Sequence, residues 1–350
     1  IVGKRFFVGE NNFVGNNDEV CSAKTVGGLS RVRGTCPDAP RLDGSYFSSG
    51  LSFFAKTNDI NKTIDGEQTV NTFGFSLAPS IPRVVLPRPN QEQRKITIFP
   101  ACRNQKVQGN CAIVDFKIIE PNNDNDGDGV YTGLMYVTWE DSEQGGDFDQ
   151  DMNGLIAYEL DEERLLIRTR VLKNSTTSKM GFGFVVNGVK RKIFVNGKRV
   201  FEDGDGFHVL SGTLGFNEGD CKNCVQEDGW ASAKFVVSNG SAKFLETPLF
   251  YAAKYGGFKD ANGNNIPDLT SEWDVRNNAT GAPSPDGIPD NYHNVNNPKE
   301  LKVQFDNVIT EILASAASGT GSSVVTNAND GAGIFLQSLF YPSLNIEGRE

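Results

Sequence analysis

Apolar residues in the middle of the chain come in short runs that are rich in β-branched and aromatic side chains and separated by turn residues, a pattern typical of β-strands. The runs lie between residues 96 and 246: KITIFP, AIVDFKII, GLMYVTWE, GLIAYEL, RLLIRTRVL, GFGFVV, KIFV, KRVF and AKFVVS. Asn196 and Gly197 separate two of them and supply the positive-φ residues of a type I′ turn. We therefore predict an all-β domain over residues 96–246, with a hairpin at 193–201.

Before this domain, apolar residues are spaced as they are in a helix. Residues 45–59 predict a helix, because four apolar residues fall at helical spacing: Phe47, Leu51, Phe54 and Ala55. Residues 70–78 are typical of a buried strand. Prolines then follow at a density that stops regular structure: Pro79, Pro82, Pro87 and Pro89. This part of the chain predicts one helix–strand unit followed by a linker.

The chain becomes helical again after residue 246. Thr247 followed by Pro248 is typical of an N-cap with proline at the first helical position, and the run LFYAAKYGG predicts a short helix. Asn297–Pro298 repeats this start signal for a longer helix that ends at Gly319. The longer helix carries one apolar stripe, which predicts packing against a core: Leu301, Phe305, Val308, Ile309, Ile312, Leu313 and Ala316.

Composition and charge exclude several classes of partner and chemistry. No apolar run approaches the ~18 residues of a membrane-spanning helix. The chain has 34 Lys and Arg against 44 Asp and Glu and a net charge of −10, so nucleic acid is not an expected partner. It has two His, and no nucleophile elbow, H-E-x-x-H motif, Walker loop or full G-x-G-x-x-G motif. We expect a protein that is not an enzyme.

Cysteine use indicates an oxidising compartment. The six cysteines fall as local pairs in polar, turn-rich segments, which is typical of loops closed by disulfides, although other pairings are allowed by the count. We favour the local pairs: Cys21–Cys36, Cys102–Cys111 and Cys221–Cys224. The last pair is also compatible with a redox or zinc pair, but no helix start follows it and no further zinc ligands lie nearby.

Oxygen-bearing residues at alternate positions give the strongest chemical signal. In KDANGNNIPDL, side-chain oxygens and one carbonyl follow the order in which an EF-hand-like loop wraps Ca²⁺: Asp260, Asn262, Asn264, the Ile266 carbonyl and Asp268. Gly263 permits a tight turn, but it is two positions earlier than in an EF-hand, and Glu272 is one residue beyond the usual bidentate ligand. We predict an isolated calcium loop; a solvated Asn/Asp turn is the alternative.

Further acidic clusters raise the same question. The sequence SPDGIPD repeats part of the first loop, so Asp286 and Asp290 would complete that site or form a second one. Two other clusters repeat the D-x-D-x-D/N pattern, the first at Asp124, Asp126 and Asp128 and the second at Asp147, Asp149 and Asp151. Like charges so close together repel unless a cation is bound, and Ca²⁺ suits such flexible loops better than Mg²⁺. Hydrated turns without metal are an equal alternative.

These patterns together predict a multidomain, predominantly β chain with α/β and α-helical parts. Residues 1–95 are expected to form a partial α/β unit with a proline-rich linker. A central all-β domain follows over residues 96–246. Residues 247–350 are expected to form a helical segment with calcium-type loops.

Several stretches also share motifs with a known family. The most specific is AAKYGGF at 252–258, which runs into the calcium-type loop; the others are EWD at 272–274, DGIPD at 286–290, Asn297–Pro298, WEDSEQGGDFD at 139–149 and GFGF at 181–184. Together they resemble the PilY1/PilC family of type IV pilus tip-associated proteins over most of residues 45–350. In this light residues 45–78 resemble the last helix and strand of a von Willebrand factor A-like domain, and residues 340–342 resemble the stretch before the family's C-terminal β-propeller.

The resemblance implies a bacterial protein that is secreted through the periplasm and acts at the cell surface. It implies a role in pilus biogenesis and adhesion, with pilins or minor pilins and a host or surface receptor as partners. The D-x-S-x-S metal site of the A-like domain and the propeller have no counterpart in this sequence, so the family's residues there are not assigned. The chain would be the connecting middle of such a protein.

Two other functions stay open at this point. The Ile1 start and the Gly- and Asn-rich loops are compatible with a structural subunit that polymerises with copies of itself into an extracellular filament or sheath. The acidic clusters are compatible with a secreted hydrolase whose loops are stabilised by calcium. The clusters lie in turns of Gly and Asn, however, where no apolar pocket would raise a carboxyl pKa for acid catalysis.

Overall fold

A computed structural model describes residues 3–11, 21–33, 36, 46–77, 83–88, 91–107, 109–123, 127, 129–143, 147, 149–221, 224, 229–278, 280–295, 302, 305–306, 308–309, 323–326 and 333–336. The chain divides into two units, the first of residues 1–75 and 79–292 and the second of residues 76–78 and 293–350. Strands far outnumber helices in the described part of the chain, so the prediction of a predominantly β protein is confirmed.

The helices with defined bounds are α1 (Phe47–Thr57) and α2 (Pro248–Gly257), and single turns of 3-10 helix lie at Leu29–Arg31 and Thr270–Glu272. The strands are β1 (Arg5–Val8), β2 (Glu10–Asn11), β3 (Ser22–Thr25), β4 (Val32–Arg33), β5 (Gly74–Leu77), β6 (Val84–Arg88), β7 (Gln91–Asn104), β8 (Gly109–Asn110), β9 (Ala112–Asn123), β10 (Tyr131–Glu140), β11 (Met152–Leu160), β12 (Arg164–Asn174), β13 (Met180–Asn187), β14 (Val189–Val195), β15 (Lys198–Asp203), β16 (Gly206–Gly212), β17 (Ala231–Val237), β18 (Lys243–Phe244), β19 (Tyr292–Val295), β20 (Ser323–Thr326) and β21 (Gly333–Leu336).

Two sheets dominate the first unit. One has seven strands in the order β15-β14-β17-β12-β11-β10-β9, and the other has the order β16-β13-β7-β6 with β8 added to β7. All described strand pairs within these sheets are antiparallel. Both sheets contribute side chains to one apolar core, as in a β-sandwich, and we call the two sheets the sandwich.

The sandwich core follows from the two-residue side-chain period of its strands. In β11, buried and partly buried residues alternate along the whole strand. Trp139, Phe182 and Phe184 are among the largest fully buried side chains. Gly181 and Gly183 in β13 are required by close approach, since a Cβ at either position would collide with the Phe216 ring or with the His208 carbonyl. These glycines therefore serve strand packing.

A smaller sheet joins distant parts of the first unit. Strand β1 pairs in parallel with β18 and antiparallel with β3. The Phe7 and Phe244 rings stack with centroids 4.8 Å apart, and Phe99 of β7 meets Phe244 edge-on at 5.0 Å. The small sheet therefore packs on the five-stranded sheet of the sandwich.

The two helices pack against each other through aromatic side chains. Phe53 of α1 lies with its ring centroid 6.0 Å from Tyr255 and 6.4 Å from Phe258, at the end of α2. Thr247 caps α2 by accepting a hydrogen bond from the Phe250 N–H at 3.4 Å, and proline occupies the first helical turn as predicted.

The predicted proline-rich linker is wrong over residues 84–88, which form β6 in the five-stranded sheet. Val84 and Leu86 are buried against the sandwich core. Strand β6 lies at the edge of its sheet, where Pro87 needs no N–H for a further neighbour, and the register shifts after Pro87. A proline-rich stretch can therefore include an edge strand.

The buried strand expected over residues 70–78 is shorter than predicted. Strand β5 begins at Gly74 and pairs with β19. Residues before it donate their N–H groups to carbonyls at the ends of the helices, Val70 to Ala55 at 2.8 Å and Thr72 to Gly256 at 2.8 Å. The stretch at 70–73 therefore follows the helices and does not extend a sheet.

The long helix predicted over residues 297–318 is helical at the positions that the structure describes, 302, 305, 306, 308 and 309. Val308 is buried, but Phe305 is 44% and Ile309 50% exposed, so these two do not pack as the stripe predicted. Other stripe residues lie outside the described residues: Leu301, Ile312, Leu313 and Ala316.

Three disulfides join the cysteines in local pairs, Cys21–Cys36, Cys102–Cys111 and Cys221–Cys224. All six side chains are buried. The first disulfide packs beside the small sheet, the second lies in the sandwich core, and the third packs with Val209 and Phe216. Each one fastens a loop to an apolar cluster.

Candidate functional site

A segment rich in Asp and Asn leaves the end of α2 and returns to it. The Lys259 N–H donates to the Glu272 carbonyl at 2.8 Å and closes residues 259–272 into a loop, which we call the first loop. The Lys254 ammonium lies 3.5 Å from the centre of the Trp273 ring, a cation–π contact. Helix α2 therefore holds the base of the first loop.

Asp260 organises the start of the first loop. One carboxylate oxygen, Oδ1, accepts the N–H groups of Gly263 at 2.8 Å and Asn264 at 3.2 Å, and Oδ2 accepts the Asn265 N–H at 2.8 Å. Gly263 and Asn265 have positive φ, which lets the backbone curl around the carboxylate. These backbone hydrogen bonds, led by the one from Asn265, lower the pKa of Asp260.

Asp268 gathers the other predicted ligands of the first loop. Its Oδ1 accepts the side-chain amides of Asn262 at 3.1 Å and Asn264 at 3.2 Å, and these bonds, led by the one from Asn264, lower the pKa of Asp268. The Ile266 carbonyl accepts the Asp268 N–H at 2.9 Å. The loop thus brings the oxygen-bearing groups predicted at 260, 262, 264, 266 and 268 into one short turn, and these five side chains are exposed to solvent.

Glu272, which was predicted as the last ligand of the first loop, stabilises the loop by accepting hydrogen bonds from its backbone. The side chain is 2% exposed. Its Oε1 accepts the Ala261 N–H at 3.0 Å and its Oε2 accepts the Leu269 N–H at 3.1 Å. Both carboxylate oxygens therefore fix the two ends of the loop backbone.

Asp274 organises a second loop at residues 274–290 and was missed by the sequence analysis. The side chain is 1% exposed, and its two carboxylate oxygens accept the N–H groups of Asp286 at 3.0 Å and Gly287 at 2.8 Å. Its place directly after Glu272 and Trp273, in the motif shared with the PilY1/PilC family, was the signal that could have found it.

Asp286 and Asp290 close this second loop. Asp290 accepts the N–H groups of Val275 and Arg276, each at 3.2 Å, and Asp286 accepts the Asn278 N–H at 2.8 Å. The hydrogen bonds to these two carboxylates therefore stay within the second loop. Within the described residues, no three His, Cys, Asp or Glu side chains form a metal-binding group, so a cation in the first loop would need Asn and carbonyl oxygens as well.

A third acidic cluster lies between β10 and β11. Asp151 is 8% exposed and its Oδ2 accepts the Asp141 N–H at 2.8 Å, while Asp141 accepts the hydroxyls of Thr176 at 2.7 Å and Ser178 at 3.0 Å. Burial, together with neighbouring Asp141 and Asp149, raises the pKa of Asp151 to about 6.

The remaining predicted ligands are either exposed or outside the described residues. Asp147 and Asp149 are exposed. Asp124, Asp126 and Asp128 lie outside the described residues. The structure therefore places one complete predicted ligand set in a single loop, the set of residues 260–268.

Two comparisons with known proteins find similarity to PilY1 homologs. A family model described as "PilY1 homolog, second domain" matches residues 1–55. The type IV pilus biogenesis factor PilY1 homolog of Xylella fastidiosa (strain Temecula1 / ATCC 700964) is 25% identical over 366 residues, an alignment that covers 93% of this chain. The chain is therefore similar to PilY1 homologs over most of its length. The resemblance drawn from the motifs is thereby confirmed.

The chain spans 23% of the length of that relative. No solved structure matches the chain. Among the described residues, no helix is long and apolar enough to cross a membrane.

Proposed function

We propose that this chain is a structural part of a non-enzymatic type IV pilus biogenesis protein that works at the bacterial cell surface. The observation that carries the proposal is the similarity to the PilY1 homolog over 93% of the chain. Pilins or minor pilins are the proposed partners, and a surface receptor would make the same protein an adhesin. The three disulfides support passage through an oxidising compartment.

Calcium binding by the first loop belongs to the same proposal. Its donors are the carboxylates of Asp260 and Asp268, the amide oxygens of Asn262 and Asn264, and the Ile266 carbonyl, all hard oxygen ligands of the kind that Ca²⁺ prefers. The ion would neutralise two carboxylates that the loop holds close together. Rotation of the two Asn amides would turn their oxygens toward the ion in place of the N–H groups that now meet Asp268.

The calcium proposal predicts a stability gain that chelation removes. A ligand that binds only the folded state stabilises it by RT ln(1 + [L]/Kd), about 2.7 kcal/mol at a hundredfold excess over Kd. We expect Ca²⁺ to raise the melting temperature and to slow proteolysis near residues 259–290, and isothermal titration calorimetry to show saturable binding. The double variant Asp260→Asn with Asp268→Asn should show no calcium binding and no effect of calcium on melting or proteolysis.

Asp161→Asn is the matched control for loss of a turn-forming carboxylate, since Asp161 accepts the Glu163 and Arg164 N–H groups outside the loop. Its calcium response should equal that of the wild type. Equal melting with calcium and with chelator would reduce the first loop to a hydrated turn.

The pilus role is tested separately. Removing residues 1–350 in frame from the parent gene should reduce surface pili, measured by electron microscopy and by shearing. The double variant of the first loop should reduce them only if calcium matters for the role. Normal piliation without the segment would contradict the pilus proposal and leave the calcium measurement intact.

A further inference from the structure

The hairpin of β14 and β15 extends beyond the sandwich. Strand β14 pairs with β17 only at Val189 and Lys190, and β15 has β14 as its described neighbour at the edge of the seven-stranded sheet. From Arg191 to Phe201 the ribbon therefore consists of its own two strands, joined by the predicted turn, where Asn196 and Gly197 both have positive φ.

Large apolar side chains are exposed on both faces of this ribbon. The register pairs Lys192 with Phe201 and Phe194 with Arg199, which puts Phe194 and Phe201 on one face. The opposite face carries the pair of Ile193 and Val200. The exposed fractions are 68% for Phe194, 49% for Phe201 and 40% for Val200. A flat protein partner would cover one such face, whereas a lipid interface surrounds an inserted ribbon.

The charge of the ribbon is opposite to that of the chain. The chain has a net charge of −10, but the hairpin has two acidic residues near its base, Glu202 and Asp203, against five basic ones: Lys190, Arg191, Lys192, Lys198 and Arg199. Arg191 is paired with Asp220 at 2.9 Å, whereas Lys192, Lys198 and Arg199 form no ion pair within the described chain. The Lys192 ammonium lies 5.8 Å from the centre of the Phe194 ring.

We infer that the tip of this hairpin docks on an anionic phospholipid surface. Apolar side chains enter the boundary of head groups and acyl chains, while Lys and Arg stems reach back to phosphates, as in other interfacial anchors. Charged residues on an edge strand also prevent pairing with another sheet, but that role needs no exposed phenylalanine. The inference does not depend on calcium or on the pilus role.

Flotation of the whole chain with lipid vesicles tests the inference. Vesicles of phosphatidylglycerol mixed with phosphatidylcholine should carry the chain, vesicles of phosphatidylcholine alone should carry little, and high salt should release it. Replacing Lys192, Lys198 and Arg199 by Gln should weaken binding by roughly fivefold per charge. Phe194→Ser with Phe201→Ser should weaken binding by about tenfold or more.

Matched controls use an exposed leucine and lysine elsewhere, Leu214→Ser and Lys62→Gln, which should leave binding unchanged. A second readout reports insertion directly. In a Phe194→Trp chain, anionic vesicles should shift the tryptophan emission to the blue and brominated lipid should quench it, whereas a Leu214→Trp chain should show neither change. Circular dichroism checks that each variant is folded.

Failure of the wild type to float with anionic vesicles would overturn the inference, as would equal flotation of the hairpin variants. Sedimentation velocity without lipid supplies the other decisive outcome. The wild type and the double Phe variant should have the same mass. Loss of a dimer in the variant, with vesicle binding retained, would make the hairpin an interface between copies of the chain and overturn the lipid assignment.

Discussion

The sandwich and the two loops between residues 259 and 290 hold their shapes by different means. In the sandwich, fully buried side chains such as Trp139 and Phe182 fill the space between two sheets. In the loops, the side chains of Asp260 and Asn264 are exposed, and the backbone is fixed by carboxylates that accept its N–H groups. Burial of apolar area supports one region, and charge-assisted hydrogen bonds support the other. The two regions should therefore respond to different changes.

The largest effect is expected from the sandwich core. Phe182→Ala removes a fully buried ring from β13 and should cost about 3–5 kcal/mol of unfolding free energy, measured by urea denaturation. Phe194→Ala, at a position 68% exposed on the hairpin, is the matched control and should cost less than about 0.5 kcal/mol. Similar losses in both variants would remove the distinction between core and edge.

The carboxylate of Asp151, between β10 and β11, destabilises the folded state when it is ionised at neutral pH. Its pKa is raised to about 6, above the ordinary value near 3.9, so the folded state binds the proton more tightly. The resulting stability is present below about pH 4 and is lost as the pH rises through 6. In chelator, Asp151→Asn should therefore be more stable than the wild type at pH 7.

The measurement is chemical denaturation of both chains from pH 4 to pH 7, with the difference closing toward pH 4. Asp161→Asn, at a turn outside the sandwich core, is the control for loss of a carboxylate. A less stable Asp151→Asn chain at pH 7 would mean that the carboxylate is needed there as an acceptor.

Substitution of Asp274 should cost less stability than the core substitution, and its effect should be confined to the second loop. Asp274→Ala leaves the Asp286 and Gly287 N–H groups without their acceptor and should cost about 2 kcal/mol. Because the sandwich core is untouched, we expect faster hydrogen exchange and proteolysis between residues 274 and 290 with unchanged exchange in β11. Asp274→Asn keeps an acceptor oxygen and should recover part of the protection. Loss of protection in β11 as well would show that loops and sandwich unfold as one.

The elements that sequence reasoning predicted well depend on local rules. The strands at 96–246 follow short β-branched runs, the hairpin follows Asn196–Gly197, and the start of α2 follows Thr247 and its proline. Each of these signals acts through residues close in the chain. The position of a strand in its sheet is not a local signal. Pro87 is tolerated in β6 because β6 is an edge strand, and the residues around Pro87 do not reveal this.

The loops show the same limit at finer scale. The spacing of Asp260, Asn262, Asn264 and Asp268 identified residues that share one turn. The spacing did not show that the Glu272 carboxylate accepts backbone N–H groups, or that Asp274 is the buried acceptor of the second loop. Whether a carboxylate binds a cation or the backbone depends on which N–H groups the folded chain directs toward it, and spacing carries no such information.

The pairing of β1 with β18 has a consequence for the order of folding. Phe6 pairs with Lys243, and the hydroxyl of Tyr46 donates to the carbonyl of Glu246 at 2.7 Å, so early residues receive partners that are synthesised much later. Contacts so distant in sequence carry a high loop-closure cost and slow the search for the native state. While the chain is being synthesised, the apolar face of β1 stays uncovered until β18 and the sandwich have formed, so this stretch would benefit from a holding chaperone.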